Sequence, residues 1–397
     1  MPTSEHRSTT TTPAIPSAPG QRYTLLHITL VCTGFLGRIH PLVLFPAWLG
    51  IAAIGSWPWQ ALRIPAACVG ILSILGDGVG LIQLNRQGKS FGPATPSMLA
   101  LAILRTGATF VLGWVSASLS CLLVCAVLQV LLSILVVYTT WIEPFRLEVT
   151  REKLRSSKMT TAHPLRLLHI SDLHIERRTR REQGLLQVVK DLEPDIVALT
   201  GDYLNLSYTE DAEAHAEARA VLADLCRCVK GPVYAVTGSL AVDPPAVVPG
   251  IFADLPIVWV LDRVEELEIA GRELRIAGLR CTGQRHLDVP RLRRLLGGRS
   301  STAFTLLLYH SPDLMPEAVE AGVDLYLCGH THGGQIRLPM FGAIVTSSSF
   351  WKRYEMGRYD QAGTTMYVSR GVGMEGLGAP RARLLAPPEV TLWELSG

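Results

Sequence analysis

Between Tyr23 and Trp141 the chain carries six charged side chains: Arg38, Arg63, Asp77, Arg86, Lys89 and Arg105. All the other charges, from totals of 37 Lys plus Arg and 34 Asp plus Glu in 397 residues, lie outside that stretch. A water-soluble domain needs a charged surface, so this third of the chain cannot fold as one. Its charge-free runs at 23–37, 39–62, 64–76 and 106–142 approach or exceed the roughly 20 apolar residues of a spanning helix. The chain is expected to open with an all-α transmembrane region over 23–142, preceded by a Thr-, Ser- and Pro-rich disordered tail at 1–22.

About four helices are expected in that region. Pro41, Pro46 and Pro58 mark the ends or kinks of the 39–62 segment. The 64–84 segment spans if Asp77 is tolerated. The 98–141 segment is too long for one crossing at about 1.5 Å per residue, and it reads as two helices turning near Gly113 or as one span after an interfacial helix. The apolar run is far longer than the h-region of a cleaved signal peptide. Arg146, Arg151, Lys153, Arg155, Lys158 and Arg166 follow the last segment, which places the following domain on the cytoplasmic face. Asp77 and Arg105 mark a polar pathway, lie near helix ends or pair with each other.

The formal charge of +3 excludes a polyanion binder recognised by gross charge, and no basic stripe interleaved with aromatics points to nucleic acid. Eight cysteines are scattered without a C-x-x-C pair, so they read as reduced thiols. After a basic linker at 143–164, residues 165–397 alternate short apolar runs with charged, helically spaced segments. Strands are expected at Leu165–Ile170, Asp195–Thr200, Pro232–Thr237, Phe304–Tyr309, Leu325–Cys328, Met366–Ser369 and Glu389–Glu394. Helices are expected at Glu182–Leu192, Ala212–Val229 and Pro316–Ala321. That alternation is an α/β layered domain.

The strand ends carry the chemistry. The first runs into Ser171-Asp172-Leu173-His174, the second into Thr200-Gly201-Asp202, the third into Thr237-Gly238-Ser239. The fourth ends at His310, and the fifth enters Gly329-His330-Thr331-His332-Gly333-Gly334-Gln335. Ligands of open α/β sheets collect at the carboxyl ends of strands. Two carboxylates and four imidazoles suit Mn, Fe or Zn better than Mg or Ca. Six candidate ligands exceed what one open catalytic metal needs, and Asp202 could bridge two ions.

This ordered set resembles the calcineurin-like metallophosphoesterase superfamily, and within it a bacterial membrane-associated branch whose site ends in G-H-T-H-G-G-Q. The likeness extends from the Ile142-Glu143-Pro144-Phe145 junction to Pro388-Glu389. It implies a two-layer β-sandwich flanked by helices, with two divalent metal ions at one edge. Asp172, His174 and His332 would hold the first, His310 and His330 the second, and Asp202 would bridge. Asp202 and His332 would be the catalytic residues, and a metal-bridging hydroxide would attack phosphorus in line. The implied activity is hydrolysis of a phosphate ester or pyrophosphate by an integral protein of the bacterial inner membrane. An anchored domain implies an amphiphilic or lipid-linked substrate, with UDP-2,3-diacylglucosamine, phospholipids and isoprenoid phosphates as candidates.

One departure stands out. Where the family carries G-N-H-D or G-N-H-E, this chain reads Gly238-Ser239-Leu240-Ala241-Val242-Asp243. Ser239 is a poorer neutral ligand than an amide, and Leu240 cannot move a proton. Asp243, Arg280 or His286 could stand in, although His286 reads first as a surface residue. Ser369-Arg370-Gly371-Val372-Gly373 reads equally as a turn or as a segment beside the site. Arg381 and Arg383 could meet an anionic headgroup but read first as exposed. The alternatives to an active enzyme are a catalytically weak or inactive sensor or scaffold, and a transporter with a regulatory domain.

Overall fold

The computed structural model describes residues 33–39, 41–159, 163–269, 272–297 and 302–397. The tail expected at 1–22 and most of the 23–37 segment lie outside them. Helices at Phe45–Ser56, Arg63–Arg86, Ala94–Val115 and Leu119–Val137 form the apolar bundle. Pro46 and Pro58 each stand in the first two positions of a helical segment, where a missing N–H is harmless. Between the first two helices the turn Trp57–Leu62 breaks at Gln60, with φ 50° and ψ −116°. Phe45–Arg86 is thus one apolar stretch, bent in the middle. With Ala94–Val115 and Leu119–Phe145, it makes three stretches among the described residues long and apolar enough to cross a membrane. The 98–141 segment does divide in two, but at Ser116–Ser118, where the Ser118 hydroxyl accepts from the Cys121 amide. Gly113 lies inside the helix, packed on the Trp59 ring.

The bundle is inverted in polarity. Ile64, Leu72, Val79, Ile103, Val127 and Val130 stand exposed, while Asp77, Arg105 and Gln129 are buried. Asp77 and Arg105 do pair, bidentately, at 2.6 and 2.7 Å.

Fourteen strands follow among the described residues. They are β1 (Glu148–Arg155), β2 (Leu165–Ile170), β3 (Ile196–Leu199), β4 (Val233–Ala235), β5 (Ile257–Trp259), β6 (Arg263–Ile269) and β7 (Arg272–Gly278). Then come β8 (Phe304–Leu308), β9 (Leu325–Cys328), β10 (Arg337–Leu338), β11 (Gly342–Ala343), β12 (Gly357–Gln361), β13 (Thr364–Val368) and β14 (Glu389–Ser396). Two six-stranded sheets, ordered β1-β14-β2-β3-β4-β5 and β12-β13-β9-β8-β7-β6, pack face to face, and β10-β11 form a separate hairpin.

Alternation along β2 explains the layering. Leu165 and Leu167 point into the core between the sheets, with Leu274, Leu306, Leu325 and Trp393. Leu168 and Ile170 point outward, under the helices Arg180–Leu192 and Ala212–Cys228. The second sheet is covered likewise by Arg285–Leu296 and Met315–Glu320. The result is the two-layer sandwich with flanking helices. A capping box at Thr179 and Glu182 starts Arg180–Leu192, two residues earlier than the spacing placed it.

The 143–164 stretch is not a linker. β1 lies in it and pairs in parallel with β14 from Glu148↔Glu389 to Arg155↔Ser396. Arg151, Lys153 and Arg155 alternate on its exposed face, the charged pattern of an edge strand, and that charge hid the strand in the sequence. The bundle and the sandwich meet closely. The Phe91 amide donates to Glu176, the Tyr208 hydroxyl to the Phe91 carbonyl, the Ala386 amide to Glu143 and the Arg383 amide to Thr139.

Candidate metal centre

Strands β2, β3 and β4 run parallel in one sheet, and β8 and β9 run parallel in the other. Their carboxyl ends bring all six candidate ligands to one edge of the sandwich. Five of these residues leave their strand in the left-handed region: Asp172 (φ 51°), His174 (44°), Asp202 (56°), His330 (74°) and His332 (52°). Non-glycine residues in that region cost roughly 1 kcal/mol or more each. Five together, on loops that present metal-ligating side chains, mark a site where fold stability has been given up for geometry.

The side chains form two triads, Asp172–His174–His332 and Asp202–His310–His330. In the first, Nε2 of His174 lies 2.9 Å from Nε2 of His332, which is 3.6 Å from Oδ1 of Asp172. In the second, Nε2 of His310 is 3.1 Å from Nδ1 of His330 and 3.2 Å from Oδ2 of Asp202. That same Oδ2 is 3.6 Å from Nε2 of His174, so one oxygen faces both triads. Imidazole nitrogens about 2.9–3.4 Å apart are what two ligands on one cation require, given metal–nitrogen bonds near 2.0–2.1 Å.

The surroundings fit metals as well. His310 donates from Nδ1 to the Thr200 carbonyl at 2.8 Å, which turns Nε2 toward the triad, as the outer partner of a metal-binding imidazole does. Burial pushes His174 down to about 4, and burial with the neighbouring His310 does the same to His330. Burial would also lower His310, but the Asp202 carboxylate beside it holds it up, to about 10. Burial raises Asp172 to about 6. Neutral imidazoles at His174 and His330, with the Asp202 carboxylate drawing a proton onto His310, are a donor set in want of positive charge.

Ser239 arrives at the second triad, its hydroxyl 3.3 Å from His310 and 3.4 Å from His330, while its amide donates to Oδ1 of Asp202. Leu240, the next residue, is half-buried. Asp243 takes another part than the proton donor envisaged. Fully buried, it accepts from the amides of Asp202, Tyr203 and Gly238 and ties the Asp202 loop to the Ser239 loop from behind. Gly238 is required there, because a Cβ would fall 2.0 Å from Oδ1 of Asp202. Arg280 pairs with Asp262 and His286 is exposed; neither joins the triads.

The Ser369–Gly373 segment does lie beside the site. A Cβ on Gly371, at φ 69°, would fall 2.5 Å from that of Asp172. Arg381 and Arg383 are buried rather than exposed. Arg381 pairs with Glu176 at 2.7 Å. Arg383 donates to the carbonyls of Ala386, Arg370 and Gly371, bracing the loop that backs Asp172. No motif pointed to Glu375, whose amide donates to the Gln335 side chain. Loss of water first, and then Asp202 and Asp172, raise its carboxyl to about 7. Only distance in space, not spacing in sequence, connects it to the site.

Residues 165–334 match the calcineurin-like phosphoesterase family. Among curated proteins, the chain is 28% identical over 270 residues to the uncharacterized metallophosphoesterase YkuE of Bacillus subtilis, covering 65% of this chain and 88% of that one. It is also 28% identical over 277 residues to the phosphodiesterase YaeI of Escherichia coli, covering 65% and 92%. A third relative, the uncharacterized metallophosphoesterase YkoQ of Bacillus subtilis, is 24% identical over 238 residues, covering 58% and 83%. With its metal-ligand types gathered at the strand ends and its sandwich intact, the stretch 165–334 is a calcineurin-like phosphoesterase domain within the longer chain.

Proposed function

We propose that this protein is a membrane-anchored, metal-dependent phosphoesterase of the bacterial inner membrane. It hydrolyses a phosphate ester or pyrophosphate bond of an amphiphilic, lipid-linked substrate. The observation that carries this reading is the single oxygen, Oδ2 of Asp202, facing both triads. Asp172, His174 and His332 would hold one divalent ion, His310 and His330 the other, and Asp202 both. Bound there, such ions supply a water ionised at neutral pH and positive charge for the phosphoryl oxygens.

The chain's own residues set what the site can do. Asp202 is held from Oδ1 by the Ser239 amide, which leaves Oδ2 free for sharing. Ser239 offers a hydroxyl where an amide oxygen is usual, and Leu240 offers no proton to a departing oxygen. Leaving groups that depart without protonation, such as a nucleoside phosphate or an aryl oxide, therefore suit this site better than a simple alkoxide. Exposed apolar helices around a buried ion pair support the membrane anchor. The seam between bundle and sandwich supports an amphiphilic substrate, because it brings the loop after Gln335 beside the helix ends. The basic residues after the last helix support a cytoplasmic placement.

Hydrolysis of an aryl phosphodiester by the purified chain with added Mn²⁺ tests the reading. Activity should vanish with chelator and fall about 1000-fold or more in Asp202→Asn. Activity that survives either treatment would defeat the dinuclear mechanism. Leu240 favours a second reading, a metal-binding sensor, and metal bound without turnover would select it.

A further inference from the structure

Beyond Phe145, the described large hydrophobic side chains that stand exposed are Leu287, Leu385 and six between 338 and 351. The six are Leu338, Met340, Phe341, Ile344, Val345 and Trp351. They occupy the β10–β11 hairpin and the loop after it, which leave the metal loop directly at Gln335. Met340 is completely exposed, Phe341 57% and Trp351 53%. An apolar patch this concentrated on an otherwise polar surface marks a partner.

Two observations say which partner. The first is depth. Ile336, which leads into the hairpin, and Pro380 share a groove of about 240 Å³ with Leu84, Leu101, Leu104 and Val136 of the bundle. Leu84 and Asn85, which line it, stand in the last turn of Arg63–Arg86, and Ala94 and Ser97 in the first turn of Ala94–Val115. The base of the hairpin therefore lies beside the outer turns of a spanning helix, where a bilayer interface would be. The second is charge. Residues 336–354 include Arg337, Lys352 and Arg353 and no acidic residue; Glu355, which follows, pairs with Arg337 and Lys352, and Arg353 stands exposed. The Lys352 ammonium sits over the Phe341 ring at 3.5 Å. Aromatic and cationic side chains around an apolar tip are the composition of a membrane-interface anchor.

We infer that the β10–β11 hairpin, with Trp351, inserts into the lipid headgroup layer beside the helix bundle and holds the metal loop at the bilayer surface. The inference rests on the reading of the bundle as membrane-spanning, and it narrows the substrate to one whose phosphate lies at headgroup level. The occupant is the bilayer, with anionic headgroups meeting the exposed Arg353.

Site-specific photocrosslinking tests it in the full chain, reconstituted into vesicles of phosphatidylethanolamine and phosphatidylglycerol. A photoreactive phenylalanine derivative at Met340 should give phospholipid adducts by mass spectrometry, and the same probe at Leu287, on the helix Arg285–Leu296, should give none. With the probe at Ile344, the pair Met340→Asp and Phe341→Asp should cut the adduct several-fold. Lipid adducts absent at 340, or equal at 340 and 287, would overturn the inference. An adduct to a second copy of the chain would overturn it too, in favour of an interface between copies. The readout needs no turnover. An inactive protein that still gives the adduct would lose the phosphoesterase reading and keep the hairpin.

Discussion

Two clusters of buried charge in this chain are built on opposite principles. In the helix bundle, Arg105 directs all five of its guanidinium N–H groups to partners. Two go to Asp77, two to the carbonyl and side chain of Gln129, and one to Ser133. Gln129 returns its own amide to the Arg105 carbonyl and the Thr109 hydroxyl. At the edge of the sandwich, by contrast, imidazole nitrogens face imidazole nitrogens and carboxylate oxygens, on backbones held at positive φ. Nδ1 of His174 and of His332 is buried without a hydrogen-bond partner among the described residues. A closed network of donors and acceptors spends its polarity on holding helices together. An open one, rich in acceptors and strained, waits for something else to complete it.

The contrast predicts that the two clusters fail differently. In the sandwich, Asp202→Asn should remove catalysis while leaving the fold close to its original stability without metal. In the bundle, Arg105→Met should do the reverse. It strands the Asp77 carboxylate among apolar helices, a loss of about 3–5 kcal/mol, and activity per folded molecule should stay within about two-fold. Thermal unfolding in detergent, set beside the aryl phosphodiester assay, separates the two. If Arg105→Met abolished turnover in protein that was still folded, the bundle would be part of the active machinery and the division would fall.

How much of this was written in the sequence differs between the same two regions. The six candidate ligands that the structure gathers into two triads were legible, because each stands within four residues of a strand end and strands such as Leu165–Ile170 and Leu325–Cys328 announce themselves as apolar runs. The pairing of Asp77 with Arg105 was only one of three readings, since 28 residues separate them and the connection at 87–93 between their helices decides where they meet. Edge strands were lost: β1 and β6 carry charge on their exposed faces, as Arg151 and Glu266 do, and mimic linkers. Arg383 was misjudged for a related reason. An arginine on a stretch without regular structure reads as solvated, and nothing local reveals that four backbone carbonyls, those of Arg370, Gly371, Gly373 and Ala386, enclose it.

The site has its own weak member, and it sharpens the comparison. Ser239 reaches the second triad only at 3.3–3.4 Å, and Leu240 supplies no donor. Replacing the pair by Ser239→Asn and Leu240→His should raise kcat by about 10- to 100-fold on a substrate with a poor leaving group, and much less on an aryl phosphodiester, which needs no proton. Equal gains on both substrates would assign the limit to metal occupancy, through Ser239. No gain on either would mean that another group, with Glu375 a candidate, already serves.

The smallest effect should come from the most drastic change to the bundle. Replacing both partners of the ion pair at once, Asp77→Leu with Arg105→Met, removes the charge and its counter-charge together, so no carboxylate is left unpaired. Pairs of this kind commonly exchange for apolar residues at a cost near zero or with a gain of about 1–4 kcal/mol. The loss of the Gln129 and Ser133 contacts works against that gain, so stability within about 1 kcal/mol of the parent is expected. A double variant as unstable as Arg105→Met alone would mean that the pair sets which helix faces meet, a specificity that apolar packing cannot supply. The equivalent double change in the sandwich has no neutral outcome. A cluster built to be completed from outside loses its purpose with either ligand, whereas one completed from within can be exchanged whole.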